Sequence, residues 1–378
     1  MDTHPPVPLA LYRCASYDPE VLGPIVRQCL SFAPISRGSS VLVKANMISA
    51  RAPERSVTTH PAVVESVCRA LLDMDCRPFI GDSPGMEPFD KIARISGIAD
   101  VGKRLGVEVR ELSRSTLCPP SPRRVNQRLE LSADALGADA IVNLPKLKTH
   151  CQMQLTLAVK NLFGTVVGQR KAQWHYAVGL DRSRFANVML DILQSLPPVF
   201  SILDGVMGMD GRGPTNGTPH AFGMIAACTD PVALDSACCT LLGVNPDDYA
   251  LCRAARLRNI GDPGLANIEW RGDMPPQTRF ENVDMPELHA LNLAPRFLDR
   301  ITGRLLSSRP FQVKNRCIAC GRCAQICPAD ALRLERGTLR FDYDKCIRCY
   351  CCHEMCPADA IGFRESTLMK IISRIKER

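Results

Sequence analysis

Nine of the 19 cysteines in this 378-residue chain fall between positions 317 and 356, and their spacing constrains the fold more than any other sequence feature. The pattern C-x2-C-x2-C-x3-C-P begins at Cys317 and is repeated from Cys346. The repeat continues past the cysteines, because CPADAL at 327–332 matches CPADAI at 356–361. An internal duplication of this kind predicts two structural halves related by an approximate two-fold axis.

The spacing also predicts which cysteines act together. Three thiolates separated by two residues each wrap around three corners of a cubane, and the fourth, before a proline, reaches the other cluster. We therefore expect two [4Fe–4S] clusters. The predicted ligands are Cys317, Cys320, Cys323 and Cys356 for the first cluster, and Cys346, Cys349, Cys352 and Cys327 for the second. Zinc sites usually hold two well-separated ligand pairs, so the spacing disfavours zinc.

Two further residues of this segment have no ligand spacing. Cys351 is out of register with the repeat, and we expect it to be a packed thiol. His353 is expected at the surface.

Residues 311–365 resemble the bacterial-type two-cluster ferredoxin family, and all eight ligand positions are present. The resemblance implies a small α+β domain that transfers electrons. Residues 305–378 carry a formal excess of six positive charges before any cluster is counted, which suits an acidic electron donor such as a ferredoxin or flavodoxin. Two oxidised clusters with their thiolates would remove roughly four of these charges.

Composition narrows the class of protein. The 46% hydrophobic and 23% charged content is typical of globular domains. The N-terminus lacks a signal-peptide pattern and no apolar run is long enough to span a bilayer, so we expect a cytoplasmic protein without a transmembrane segment. Clustered cysteines in such a protein indicate metal ligation rather than disulfides. Aromatic residues are only 5% and no arginine-rich tract is present, which disfavours nucleic-acid binding.

Residues 40–245 read as alternating strands and helices, which predicts an α/β class with a largely parallel, layered sheet. The predicted strands are 41–46, 77–82, 107–112, 138–144, 199–205 and 222–227, and the predicted helices are 60–75, 153–164 and 230–243. Residues 113–134 and the glycine-rich 208–217 are predicted loops. The expected domains are an α/β domain over 1–295, a linker over 296–310 with a helix at 297–308, the ferredoxin domain over 311–365, and a basic amphipathic helix over 366–378.

Polar residues gather directly after the predicted strands. The carboxyl ends of strands border the ligand crevice in open α/β sheets, so these residues are candidate ligand contacts. They are Lys44, Asn46, His60, Asp82, Ser83, Lys146, Lys160, Asn161 and Asp204, with Lys148 and His150 as candidate catalytic groups. The excess of lysine predicts an anionic ligand such as a carboxylate or phosphate. Lysines of lowered pKa could also donate protons. A metal held by the two histidines is less favoured, because no third ligand has motif spacing.

Several segments together resemble the family catalogued as domain of unknown function 362, over about residues 38–270. They are VLVKAN, the T-T-H-P at 58–61, GDSPG at 81–85, PKLKTH at 145–150, KNLFG at 160–164 and DPVALD at 230–235. Ala45 departs from the proline that the family more often has. Members are often fused to two-cluster ferredoxin modules, so the resemblance implies this architecture without a reaction.

Two functions follow from these observations. The first is an iron–sulfur oxidoreductase, or a component of one, whose clusters relay electrons to an anionic ligand or partner on the α/β domain. The alternative is a cofactor- or metallocentre-assembly factor that uses the clusters for reducing power on a client. Nucleotide-binding and nucleophile-elbow motifs are absent from the sequence.

Overall fold

The structure is a computed structural model that describes residues 5–286 and 307–364. The strands of these residues are β1 (Val7–Arg13), β2 (Ser40–Ala45), β3 (Arg77–Asp82), β4 (Glu108–Glu111), β5 (Ser115–Leu117), β6 (Glu130–Ser132), β7 (Ala140–Leu144), β8 (Lys146–His150), β9 (Gln154–Thr156), β10 (Val199–Asp210), β11 (Thr218–Cys228), β12 (Ile268–Arg271), β13 (Arg309–Gln312), β14 (Leu332–Glu335), β15 (Thr338–Phe341) and β16 (Ile361–Arg364).

The helices are mostly short. They are α1 (Pro19–Leu30), α2 (Pro61–Asp73), α3 (Phe89–Ile95), α4 (Ile98–Leu105), α5 (Ala133–Leu136), α6 (Ala158–Asn161), α7 (Arg170–Val178), α8 (Arg182–Leu193), α9 (Pro231–Leu241), α10 (Ala250–Arg258), α11 (Arg322–Gln325) and α12 (Cys351–Glu354), with 3₁₀ turns at Pro53–Arg55 and Leu162–Thr165. None of the described helices is long and apolar enough to cross a membrane.

Ten strands form one mixed sheet in the N-terminal domain. Its order is β12-β1-β11-β10-β7-β2-β3-β4, and β8 and β9 branch from β10. Neighbours from β10 to β4 are parallel, whereas β11 runs antiparallel to both β10 and β1. The predicted α/β class with a mostly parallel sheet is therefore confirmed.

The two faces of the sheet bury separate apolar cores. Side chains alternate along β2, so Val41 and Val43 pack beneath α1 and α2, while Leu42 packs beneath α8 and α9. Helix α9 begins as predicted, since the Asp230 carboxylate accepts from the Val232 amide at 2.8 Å and Pro231 occupies the first turn.

The C-terminal domain is the expected small α+β fold. Two antiparallel pairs, β13 with β16 and β14 with β15, surround the short helices α11 and α12. Each short helix follows one cysteine loop, so the sequence repeat is also a structural repeat.

The helix predicted over 153–164 is wrong in its first half. Gln154–Thr156 is strand β9, which pairs with β8, and only Ala158–Asn161 is α-helical. The Asp235 carboxylate accepts hydrogen bonds from the buried amides of Ala158 and Val159, at 2.6 and 3.3 Å, and so fixes the start of α6. An apolar run of this length does not separate strand from helix by periodicity alone.

The predicted surface loop at 113–134 contains the hairpin of β5 and β6. The linker helix predicted at 297–308 lies almost entirely outside the described residues, and the helix predicted at 366–378 lies wholly outside them.

Candidate functional site

The two cysteine loops form two separate pockets. The first is lined by Cys317, Cys320, Cys323 and Cys356, and the second by Cys327, Cys346, Cys349 and Cys352. In each pocket the fourth cysteine comes from the opposite repeat. The remaining wall of the first pocket consists only of apolar side chains and glycine. Four soft thiol ligands in an apolar pocket are a donor set that fits an iron–sulfur cluster.

The loops share an unusual backbone. Ala319 and Gly321 have φ of 54° and 76°, and the corresponding Arg348 and Tyr350 have φ of 57° and 61°. At the fourth cysteine of each repeat, a backbone amide donates to sulfur, from Ala331 to Cys327 Sγ at 3.2 Å and from Ala360 to Cys356 Sγ at 3.1 Å. Hydrogen bonds to the sulfurs help to set a cluster's reduction potential.

The two pockets face different surroundings. Cys320 of the first pocket is exposed, and the neighbouring Ile318 side chain is 65% exposed. Cys349 and Cys352 of the second pocket are buried, as is Cys351. The first pocket therefore has an exposed edge at Cys320, while the second is linked through Cys351 to the cavity beside the α/β domain.

The turn between β10 and β11 holds the ferredoxin domain in place. Arg212 donates to Asp359 Oδ2 at 2.9 Å and to the Ile361 carbonyl at 2.8 Å. Thr215 Oγ1 donates to the Glu354 carbonyl at 2.7 Å. This turn belongs to the glycine-rich segment predicted as a flexible loop, and its packed role corrects that prediction.

His353 is buried at this interface, so its predicted surface position is wrong. The imidazole lies between two carbonyl oxygens, with Nδ1 3.0 Å from Ile361 O and Nε2 3.4 Å from Arg212 O. Its ring joins the two domains and is covered by both.

A cavity of about 120 Å³ lies between the strand ends of the α/β domain and the ferredoxin domain. Its charged and polar lining residues are Asn46, Asp82, Ser83, Lys148, Thr156, Lys160, Asn161, Lys171, His175 and Glu354. Six of the predicted ligand contacts or catalytic groups thus meet in one cavity.

A buried ion pair forms the floor of the cavity. Lys44 Nζ lies 2.9 Å from Asp82 Oδ1, and Asp82 Oδ2 accepts from the Met47 amide at 2.7 Å. Gly164 packs directly on this pair, since a Cβ there would lie 2.1 Å from Asp82 Oδ1 and 2.4 Å from Lys44 Nζ. Only glycine leaves room for the ion pair, so Gly164 serves close packing and not the predicted helix end.

A chain of side-chain amides positions Lys148. Asn161 Nδ2 donates to Asn143 Oδ1 at 2.8 Å, and Asn46 Nδ2 donates to Asn161 Oδ1 at 2.7 Å. Asn46 Oδ1 in turn accepts from Lys148 Nζ at 2.8 Å. Burial, followed by the neighbouring Lys160 and Lys146, lowers the pKa of Lys148 well below its usual value.

Four polar groups of the cavity lack a hydrogen-bond partner among the described residues. Lys160 makes no hydrogen bond or ion pair there, and burial lowers its pKa against the opposing pull of Glu354. Thr156 Oγ1, His175 Nδ1 and Glu354 Oε1 are buried without a hydrogen-bond partner. Buried polar atoms are rarely left unpaired, so these atoms indicate a polar occupant.

Helix α7 supplies two cavity residues that the sequence reasoning missed. Lys171 donates to the carbonyls of Ser83 and Val166, and burial lowers its pKa to about 7. His175 lies one turn later, and burial lowers its pKa to about 3. Their spacing of four residues places both on one helix face, which is the signal that was available in RKAQWHYAV.

Glu354 forms the wall contributed by the ferredoxin domain. Its burial raises its pKa to about 7 against the lowering effects of Lys160 and Lys148. His150 lies behind it, with Nε2 3.3 Å from Glu354 Oε1. His150 Nδ1 accepts from the amides of Gln152 and Met153 at 3.1 and 3.3 Å, so the neutral ring carries its proton on Nε2.

This tautomer bears on metal binding. The ligand atoms of His150, Cys151 and Glu354 lie within 4.8 Å of one another. A protonated Nε2 cannot ligate a metal, and although it lies 3.3 Å from Glu354 Oε1, neither atom makes a hydrogen bond among the described residues. The structure therefore places two further potential ligand atoms beside His150, which the sequence spacing did not predict, while the tautomer disfavours His150 as a ligand.

The remaining candidates lie elsewhere. Lys146 Nζ donates to Asp204 Oδ2 at 2.7 Å and to the Tyr17 hydroxyl at 2.9 Å. His60 stacks on Tyr17 with ring centroids 3.6 Å apart, and its Nδ1 accepts from the Ala62 amide at the start of α2. These residues form a self-satisfied network that does not line the cavity.

Comparison with known sequences identifies the family of each domain. Residues 41–240 match the family described as "Domain of unknown function (DUF362)", which covers more than half of the chain. The chain belongs to this family. Residues 316–360 match the 4Fe-4S dicluster domain, so the DUF362 domain is fused here to an iron–sulfur domain.

This DUF362 protein is similar in sequence to a named relative and weakly similar to a solved structure. The chain is 32% identical over 254 residues to a "Thylakoid-associated protein" of Synechocystis sp., an alignment that covers 67% of this chain and 78% of the relative. A crystal structure of a Thermotoga maritima protein shares 12% identity with a TM-score of 0.38, over 58% of this chain. The chain spans 57% of that protein's length.

Proposed function

We propose that this protein transfers electrons from a soluble donor to a small anionic ligand held in the cavity between its two domains. In this proposal the eight repeat cysteines hold two [4Fe–4S] clusters, with Cys317, Cys320, Cys323 and Cys356 on the first and the other four on the second. Bound clusters of this type supply one-electron transfer at potentials set by their surroundings.

The position of Cys351 is the observation that carries the proposal. This residue lines both the second cysteine pocket and the interdomain cavity. Ile326, next to the predicted ligand Cys327, lines the cavity as well. A ligand in the cavity would therefore lie beside the second cluster, separated from it by single side chains.

The lysines of the cavity support an anion. Lys148, Lys160 and Lys171 line it, and a bound anion would raise the pKa values that burial lowers and so favour their protonated forms. The negative charge of Asp82 is already paired with Lys44. An anionic group could accept hydrogen bonds from Lys160 Nζ and Thr156 Oγ1, which have no partner within the described part of the chain. Lys148 would contact the ligand as a proton donor, and His150 would act as a positioning residue through Glu354.

The proposed donor side is the first pocket. Exposed Cys320 and Ile318 give a small carrier access to this end of the chain. A reduced ferredoxin or flavodoxin would bind there and electrons would cross toward the cavity. The alternative function is an assembly factor that acts on a client. That function predicts a different molecule in the cavity.

Anaerobic purification tests the proposal. We expect about eight irons and eight sulfides per chain, and an interacting-spin EPR signal after dithionite reduction. Bound zinc without a reducible signal would refute it. Mass spectrometry of small molecules released from the intact protein then separates the two roles, since a metal-site precursor in the cavity would favour the assembly factor.

A further inference from the structure

Helix α7 carries a second polar surface besides the one that faces the cavity. Gln173 and Tyr176 on this helix, together with Gln169 just before it, line an outer groove of about 650 Å³. The opposite side of the groove comes from the ferredoxin domain, where Gln325 lies next to Ile326. Helix α7 thus separates an inner basic cavity from an outer groove.

The cavity and the groove adjoin. Three residues line both of them, and they are Gly85, Ala172 and Ile326. Two of the three are among the smallest residues, so little side-chain volume stands between the two spaces.

The two spaces differ in charge. The inner cavity has three lysines and two carboxylates, whereas the groove has no lysine, arginine or carboxylate among its lining residues and includes the predicted cluster ligand Cys327. Within the described residues the amides of Gln169, Gln173 and Gln325 make no hydrogen bond, and the Tyr176 ring is 57% exposed. Free amides and an exposed aromatic face suit an uncharged, planar group.

We infer that the cavity and the groove together bind one elongated small molecule, with an anionic head inside and an uncharged planar body outside against Tyr176. This inference deepens the proposed function, on which it rests for the inner cavity as the ligand site. It assigns Tyr176 and the three glutamines as a specificity subsite. The head is a carboxylate or a phosphate, which present the same oxyanion chemistry.

Calorimetric titration of the anaerobic full-length protein tests the inference with four probes, which are inorganic phosphate, phenyl phosphate, acetate and phenylacetate. We expect each aryl anion to bind at least tenfold more tightly than its small counterpart. The head group with the higher affinity identifies the oxyanion. Equal affinity within both pairs, or binding of none of the probes, would overturn the inference.

Two variants separate head from body. Lys160→Met should weaken both members of a pair at least tenfold. Tyr176→Ala should weaken the aryl anion by about five- to tenfold, the loss expected for one aromatic contact, and leave the small anion unchanged. Leu257→Ala, at an 81% exposed position that lines neither space, is the matched control. Equal losses for both anions with Tyr176→Ala would contradict the assigned subsite.

Iron content and the EPR signal distinguish the two proposals. If the probes bind as expected while the protein holds no reducible cluster, electron transfer is refuted and the two-part site stands. If the clusters are present and the aryl probes gain nothing, the two-part site is refuted and electron transfer stands.

Discussion

The absence of a side chain at Gly164 leaves room for the ion pair on the floor of the cavity. Gly164 packs so closely on Lys44 and Asp82 that any side chain would push the two charges apart. Both charges are almost fully buried, and breaking a buried ion pair leaves charges without compensation. The residue is thus required for space rather than for backbone conformation.

Gly164→Ala should therefore be strongly destabilising. We expect the free energy of unfolding to fall by about 3 kcal/mol or more, as for other broken buried pairs, in thermal or urea denaturation. Gly85→Ala is the matched control, because an added Cβ meets no atom within 4 Å, and it should stay within about 0.5 kcal/mol of the wild type. Equal stability of the two variants would contradict the packing argument.

Lys171 makes stability depend on pH. Its pKa is about 7 in the folded protein and returns to 10.5 on unfolding, so the unfolded chain binds more protons between these values. The free energy of unfolding must then rise with pH from about 7 to 10.5. Asp82 and Glu111 oppose the effect of burial and Lys44 adds to it.

Lys171→Met should remove its share of this rise. One proton accounts for a slope of up to about 1.4 kcal/mol per pH unit within the window. Urea denaturation of both proteins at pH 7, 8 and 9 measures the slope directly. The other buried lysines keep a residual rise in the variant, and an unchanged slope would show that Lys171 retains an ordinary pKa.

At the scale of elements, the turn between β10 and β11 holds the two domains together. Arg212 reaches Asp359 Oδ2 at 2.9 Å from the α/β domain, and Arg316 reaches the same oxygen at 2.8 Å from within the ferredoxin domain. The two arginines form equivalent ion pairs, and of these two Arg212 alone crosses between the domains, as does the separate pair of Arg322 with Glu87.

Arg212→Ala should loosen the docking without unfolding either domain. We expect amide hydrogen exchange near Asp359 and Ile361 to become about tenfold faster. In the wild type this region opens only when the ion pair with Arg212 breaks, and the variant lacks that ion pair. The matched control is Arg316→Ala, which should leave exchange in the 211–217 turn unchanged. Identical exchange maps for the two variants would argue against a docking role for this turn.

The sequence predicted elements well where the signals are local. The cysteine spacing specifies loops that are only a few residues long, and Asp230 and Pro231 specify the helix that begins beside them. Lys146 and Lys148 show the limit of prediction from local sequence. They lie two residues apart on β8, so alternation predicts the same face for both, yet they bind different partners. The pairing of β8 with β10 shifts in register between Asp204 and Met209, which depends on tertiary packing. The sequence did not predict Glu354 or Lys171 as cavity residues, because Glu354 comes from the ferredoxin domain and Lys171 comes from helix α7.

At the scale of the molecule, the proposed electron path runs from the exposed edge of the first cysteine pocket to the cavity between the domains. Ile318 stands 65% exposed beside the first cysteine pocket, while the second pocket adjoins the cavity. Apolar contact and charge complementarity at the exposed end would govern encounter with an acidic carrier.

Ile318→Asp should slow reduction by an acidic ferredoxin. We expect about a tenfold lower second-order rate at low ionic strength in anaerobic stopped flow, because the variant repels the carrier and loses the apolar contact. Leu117→Asp, at a 60% exposed position in β5, is the control and should keep the wild-type rate. Equal slowing in both variants would place docking elsewhere.

Cys351 and Glu354 would make cluster loss and ligand release a single event. Both residues sit on the short helix that follows the second cysteine loop, and both line the cavity. Under the proposed function, a protein that lost its second cluster would therefore also lose one wall of the cavity and release the bound anion.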